Sequence, residues 1–218
     1  MNLKTLHSQW NKLLQAFDVE PRVSQKIFLD LVNAYSSPHR FYHSLEHIQQ
    51  VLDTIEEIHR HTQLETLLDI NFPLIQLAAW FHDAIYDPKS NNNEEKSADY
   101  AESALTELKI PITQIEQVKL LILSTKTHQA SLADKNCQIL LDADLSILGS
   151  SPSDYQAYAK AIRREYSWVP DEVYQIKRQQ VLQSFLQRQR LYFTNLLFLT
   201  LEQRARNNLK LELLALSS

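Results

Sequence analysis

Apolar residues recur along this chain at intervals of three and four, with no convincing run of period two. Leu3, Leu6, Trp10, Leu13, Leu14 and Phe17 keep that period and predict an amphipathic helix over residues 3–17. Pro21 suits a first helical turn and opens a second, with Val23, Ile27, Leu31 and Tyr35 facing inward until Ser36-Ser37-Pro38 breaks it. A third starts near Ser44, a good N-cap, and carries Leu45, Ile48, Val51, Leu52, Ile55 and Ile58. Residues 59–72 read as a polar connection with room for one short helix.

Pro73 opens the most uniformly apolar helix, running to Tyr86 and predicted to cross the core, with Asp87-Pro88 ending it. After a polar loop, Asn93 is expected to cap a helix reaching about Leu108. Thr113-x-x-Glu116 has the capping-box pattern and predicts the start of a helix that buries Ile115, Val118, Leu121 and Ile122. The apolar segment Cys137 to Leu148 is stopped by Gly149, read as a helix C-terminal residue. Ser151-Pro152 and Pro170-Asp171 open two more helices, the second running through Gln189, and Thr200-x-x-Gln203 is predicted to cap the last. The expectation is an all-α protein, one helical-bundle domain spanning residues 1–218.

Composition narrows the function classes. With 44% hydrophobic and 22% charged residues, the chain has the profile of a soluble globular domain able to bury a core. A single glycine, Gly149, argues against a hairpin-rich sheet and against a Gly-rich phosphate loop. One cysteine, Cys137, leaves no intrachain disulfide and no multi-cysteine zinc site. The opening MNLKTLHSQW lacks the apolar core of a signal peptide, and no apolar run reaches the length of a membrane span, so a cytoplasmic, non-membrane protein is expected. The most apolar stretch, Leu191 to Leu201, is too short for a span and equally suits a homodimer interface. A net charge of −4 argues against binding long nucleic acid.

Three stretches carry residues able to do chemistry. His43 and His47 lie four apart, on one face of the third helix, with Arg40 one turn earlier. Taken alone, that spacing fits ordinary surface or core histidines as well as ligands, and the zincin pattern His-Glu-x-x-His is absent. His82-Asp83 follows the apolar run Leu77 to Phe81, where an aspartate must be paired, protonated or bound to a metal. An ion pair to a distant Arg or Lys is the other account of it. Asp142 and Asp144 interrupt a third apolar run; two apart on a helix, they diverge, so one ligates and the other supports or caps.

The order His47, His82-Asp83, Asp144 resembles the HD superfamily of metal-dependent phosphohydrolases. The resemblance extends to Arg40-x-Tyr42-His43-x-Leu45-x-His47, His82-Asp83-Ala84-Ile85-Tyr86-Asp87, Asn93-Glu94-Glu95-x-Ser97-Ala98, Leu141-Asp142-Ala143-Asp144-Leu145 and Arg163-x-Glu165-Tyr166, and so covers most of the chain. It is similar in motif to small bacterial proteins predicted to be HD phosphohydrolases. Tyr42-His43 with His47 and Val51, and Leu123 to His128, also resemble the cyclic-nucleotide phosphodiesterase branch.

That resemblance implies a bundle of the HD-domain type, with His47, His82, Asp83 and Asp144 as metal ligands. It implies His43 as proton donor to the leaving group; Arg40-x-x-His43-Ser44-Leu45 equally resembles the other HD form, in which this histidine is the ligand. The mixed nitrogen and oxygen set suits Mn, Fe, Zn, Ni or Mg. Glu94 or Glu95 would orient His43 or hold a second ion, although acidic residues also suit a first helical turn. Lys126, His128, Arg163 and Arg164 are candidates to contact phosphate, and of the two arginines at most one faces the site. Tyr42, Trp80, Tyr86 and Tyr166 would wall a nucleobase or simply pack the core. The expected activity is hydrolysis of a phosphate ester on a small, nucleotide-like substrate. The competing readings are a regulatory module that binds metal and nucleotide without turnover, and a structural helical protein with a hydrogen-bonded His/Asp core.

Overall fold

A computed structural model describes residues 3–17, 19–62 and 70–217. It is all-α: among the described residues there are ten α-helices, one short 3₁₀ helix and no strand. The helices are α1 (Leu3–Leu14), α2 (Pro21–Tyr35), α3 (Leu45–Thr62), α4 (Phe72–Phe81), α5 (Asn93–Glu107), α6 (Ile112–Ser124), α7 (Lys135–Asp144), α8 (Pro152–Glu165), α9 (Asp171–Leu186) and α10 (Asn195–Leu216); the 3₁₀ turn, Leu145–Gly149, follows α7. The chain divides into two compact units, Met1–Ala143 and Asp144–Ser218. The division falls at the end of α7, inside an apolar segment with no change of composition, so the hydrophobic pattern carries no trace of it.

In the first unit α4 is central, packing against α1, α3, α5 and α6. Leu74, Ile75, Leu77, Ala78, Ala79, Trp80 and Phe81 are all buried, as a helix apolar on every side requires. Trp80 meets Trp10 edge-on with ring centroids 5.4 Å apart and Phe28 at 6.1 Å. That packing makes Trp80 a core residue rather than a wall for a base. Tyr35 Oη donates to the Trp80 carbonyl at 3.0 Å, tying α2 to the same helix. Asn71 caps α4, its side chain accepting from Leu74 N, while its own N–H donates to Asn136 Oδ1 at 2.9 Å and so links α4 to α7.

Several boundaries differ from expectation, each for a local reason. Helix α4 ends at Phe81 instead of Tyr86, because side chains from other segments take up the backbone groups of residues 83–87. Helix α3 continues to Thr62, whose hydroxyl donates back to Ile58 O, so residues 59–62 are helical; residues 63–69, the remainder of most of the expected connection, lie outside the described residues. Helix α6 starts at Ile112 with Pro111 at its N-cap and no side-chain cap, leaving Thr113 inside the first turn. Helix α10 is capped by Thr194, six residues before the expected Thr200, whose hydroxyl instead donates to Leu196 O within the helix. The N-cap of α5 is Asn92, while the side chain of Asn93 turns back to Asp87.

The second unit packs α10 on the 3₁₀ turn and on α9. Gly149 does not adopt a left-handed backbone; it is glycine because a Cβ there would stand 2.6 Å from Leu201 Cβ and 3.0 Å from Tyr192 Oη. Asn208 Nδ2 donates to Leu148 O at 2.9 Å and to Ser150 O at 3.1 Å, closing the same approach. Elsewhere in this unit the nearly buried pair Arg178–Glu212 joins α9 to α10 through bonds of 2.8 and 3.0 Å, and Tyr155 Oη of α8 donates to the same carboxylate at 2.5 Å. No described helix is long and apolar enough to cross a membrane.

Candidate metal centre

His47 sits in the first turn of α3, a helix amphipathic enough to bury Ile48, Val51, Leu52, Ile55 and Ile58 along the same side. That packing carries the imidazole inward, to 2% exposure. His82 follows directly on α4 and is 1% exposed, its backbone N–H still donating to Ala78 O at 2.9 Å. The two Nε2 atoms are 3.3 Å apart. Asp83 Oδ2 lies 3.1 Å from His82 Nε2 and 3.7 Å from His47 Nε2.

Asp144, the last residue of α7, is carried by a helix that belongs to the first unit through Ala143. One ligand atom each of His47, His82 and Asp144 lie within 4.8 Å of one another, close enough to hold a metal ion. Asp142, on another face of α7, is fully buried.

The chemistry of the donor set fits a cation. His82 Nδ1 is 2.9 Å from the Ala79 carbonyl, which can only accept, so Nδ1 carries a hydrogen; the neutral ring then presents an Nε2 lone pair, and the protonated ring donates from Nε2 to Asp83. This is the orientation that a second hydrogen bond imposes on a metal-binding histidine. Nε2 faces a carboxylate oxygen and a second imidazole nitrogen. Donors bonded at about 2.1 Å to one ion and set at right angles stand roughly 3 Å apart. The spacings of 3.1 and 3.3 Å match that figure.

Burial pushes the Asp83 carboxyl up, but the field of His82, then that of His43, a hydrogen bond to His82 and the field of His47 prevail and hold it well below the usual carboxylate range. Positive charge on the neighbouring imidazoles thus favours an ionised Asp83, with 16% of its side chain exposed.

His43, in the turn before α3, and Asp83, expected as a ligand, both lie next to this group but outside the set formed by His47, His82 and Asp144. The His43 ring stacks on Tyr86, with centroids 4.2 Å apart and planes at 29°, and meets His47 edge-on at 5.9 Å. Tyr42 covers the His47 ring at 4.7 Å.

The remaining sequence candidates have their own surroundings. Glu94 is half-buried in the first turn of α5. Neighbouring Glu95 pairs with Lys126, whose Nζ also donates to Asn91 O at 2.9 Å, so Lys126 ties the residues after α6 to the start of α5. His128 is half-buried with a positive φ of 50°. Arg163 belongs to the second unit, where its guanidinium donates to Asp171, to Tyr166 O at 2.6 Å and to Val169 O at 3.0 Å, and lies over the Tyr174 ring. Sequence reasoning did not connect Arg40, Asn93 and Ser97 with the main chain after His82, because hydrogen bonds to main chain leave no periodic signal.

No family model, no curated protein and no solved structure matches this chain, and the functional reading rests on the donor set itself.

Proposed function

We propose that this chain is a metal-dependent phosphohydrolase of the HD type. The observation that carries the reading is the convergence of His82 Nε2, whose ring is oriented by the Ala79 carbonyl, with His47 Nε2 and the Asp83 carboxylate within 3.7 Å. His47, His82, Asp83 and Asp144 would hold the ion, and their mixed donor set suits Mn, Fe, Zn, Ni or Mg. A divalent ion held there supplies Lewis-acid activation of water and polarises a phosphoryl oxygen.

The protein's own groups do the rest. The Ala79 carbonyl keeps the His82 proton on Nδ1, so that Nε2 stays a ligand. Burial of His47 and His82 excludes bulk water from the inner side, while the partly exposed Asp83, His43, Tyr42 and Tyr86 mark the side open to substrate. His43, stacked on Tyr86, stands where it can hold a proton for the departing oxygen. The substrate class is a small, nucleotide-like phosphate ester, with Lys126 and His128 as candidate phosphate contacts, and the setting a cytoplasmic one.

The test is turnover. Protein purified with its metal is assayed against nucleotides and aryl phosphates alongside His82→Ala and Asp83→Ala. Hydrolysis lost in both variants is the expected result. Stoichiometric metal with no turnover of any substrate would instead make the chain a regulatory metal-binding module, and equal behaviour of all three proteins without metal would make the cluster structural.

A further inference from the structure

The main chain that follows His82 has left the helix, yet its polar groups are individually held by side chains. Ser97 Oγ accepts from Ile85 N at 3.1 Å and donates to Ile85 O at 3.1 Å. Asn93 accepts from Asp87 N at 3.1 Å and donates to Asp87 O at 2.9 Å. Arg40 takes the carbonyls of Asp83 and Ala84: Nη1 donates to Asp83 O at 2.6 Å and Nη2 to Ala84 O at 2.8 Å. The same Nη1 donates to His43 O at 3.1 Å. One guanidinium thus joins the main chain of Asp83 to the main chain of His43, forty residues away.

We propose that Arg40 is a positioning residue of the metal centre: it sets the reach of Asp83 to the ion and the distance between the ion and His43. This rests on the metal-dependent reading above. Both hydrogens of Nη1 go to carbonyls, so this end of the guanidinium braces the protein rather than greeting substrate. The head is itself fixed, with the Arg40 guanidinium carbon 4.9 Å from the Tyr35 ring centroid and 5.4 Å from that of Tyr86, the ring on which His43 stacks. A cation at the end of α4 also meets the negative pole of that helix. Lysine cannot reproduce the arrangement, because a point ammonium lacks the planar fork that serves three carbonyls at once.

The experiment titrates cobalt(II) into the metal-free full-length protein and into Arg40→Ala, Arg40→Lys and Ile27→Val. Calorimetric affinity and the visible d–d spectrum are the readouts, and melting of the metal-free proteins is the control. Ile27 is a buried residue of α2 whose truncation destabilises the unit and removes none of the hydrogen bonds from Arg40, Ser97 and Asn93 to residues 83–87. The expected result is wild-type binding at stoichiometric level, with affinity about 10–100-fold weaker and a changed spectrum in Arg40→Ala and Arg40→Lys. Ile27→Val keeps both wild-type affinity and wild-type spectrum. If the arginine variants melt earlier but keep the wild-type affinity and spectrum, Arg40 is only structural and the proposal falls while the metal site stands. Should Arg40→Ala fail to fold, Arg40→Lys decides alone by the same criteria. Absence of cobalt binding by wild type overturns the metal reading, and this inference with it.

Discussion

His47 Nε2 and His82 Nε2 stand 3.3 Å apart although the residues are 35 positions apart in the chain. Positive charge among these atoms, from a proton on an imidazole or from a bound cation, stabilises their approach to the Asp83 carboxylate. Bringing them together costs desolvation of two imidazoles and a carboxylate.

Replacing His82 by Ala removes the donor at the centre of the group. Metal affinity is expected to fall by more than the roughly 10–100-fold seen when a supporting partner is lost. Calorimetric titration of the metal-free variant with cobalt(II) measures it.

Acid should release the metal through the histidines, not through Asp83. Imidazoles bind metal only when neutral, so affinity declines as pH falls toward and below the ordinary imidazole range of about 6.5. The Asp83 carboxyl, held well below its usual range, stays ionised through that window. Its own contribution to folding is present above the ordinary aspartate range and is lost only at still lower pH, as the folded-state carboxyl takes up its proton. Metal content measured after equilibration at pH 8 and pH 5 checks the order of these events; retention of full occupancy at pH 5 would contradict it.

Gly149→Ala should destabilise the second unit by about 1–3 kcal/mol, the usual range for forcing an added methyl into a packed site. The cause is the approach of Leu201 Cβ to 2.6 Å, not backbone strain, since no glycine here has positive φ. Urea denaturation reads the change, and cobalt affinity at the metal centre should stay at the wild-type value.

Glu212→Ala leaves the Arg178 guanidinium buried without its carboxylate partner. The expected cost is about 3–5 kcal/mol, against a smaller loss for the paired replacement Arg178→Met with Glu212→Leu, which removes both charges together. The side chains are 9% and 12% exposed, so solvent screens the pair little. Equal destabilisation by the single and double changes would refute this account.

Much of the fold was legible because burial in a helix leaves a period. The faces of α2 and α3, the uniform apolarity of α4 and the Ser151 cap of α8 could all be read directly. The misread boundaries share a cause: a side chain satisfying a distant backbone group overrides the local pattern. Ser97 and Asn93 draw residues 85 and 87 out of the helix that their apolar neighbours predict. Gly149 likewise looked like a helix stop, but its reason lies 52 residues away, in Leu201.

For the site, the residue order brought His47, His82 and Asp83 to attention because charge inside apolar runs is costly. Spacing alone left Asp142 and Asp144 open; the resemblance chose Asp144, and the structure groups Asp144 with His47 and His82 while Asp142 is fully buried. Arg40 was visible as a residue one turn before His43, but nothing in one dimension told that its donors would reach Asp83 and Ala84.

The most direct test of the central claim is elemental analysis of the full-length protein purified without chelator, run beside His82→Ala. The account predicts at least one divalent ion per wild-type chain and a loss of most of that metal in the variant. Wild-type protein free of stoichiometric metal, and unable to take up cobalt(II), manganese(II) or zinc(II) when these are supplied, would contradict it.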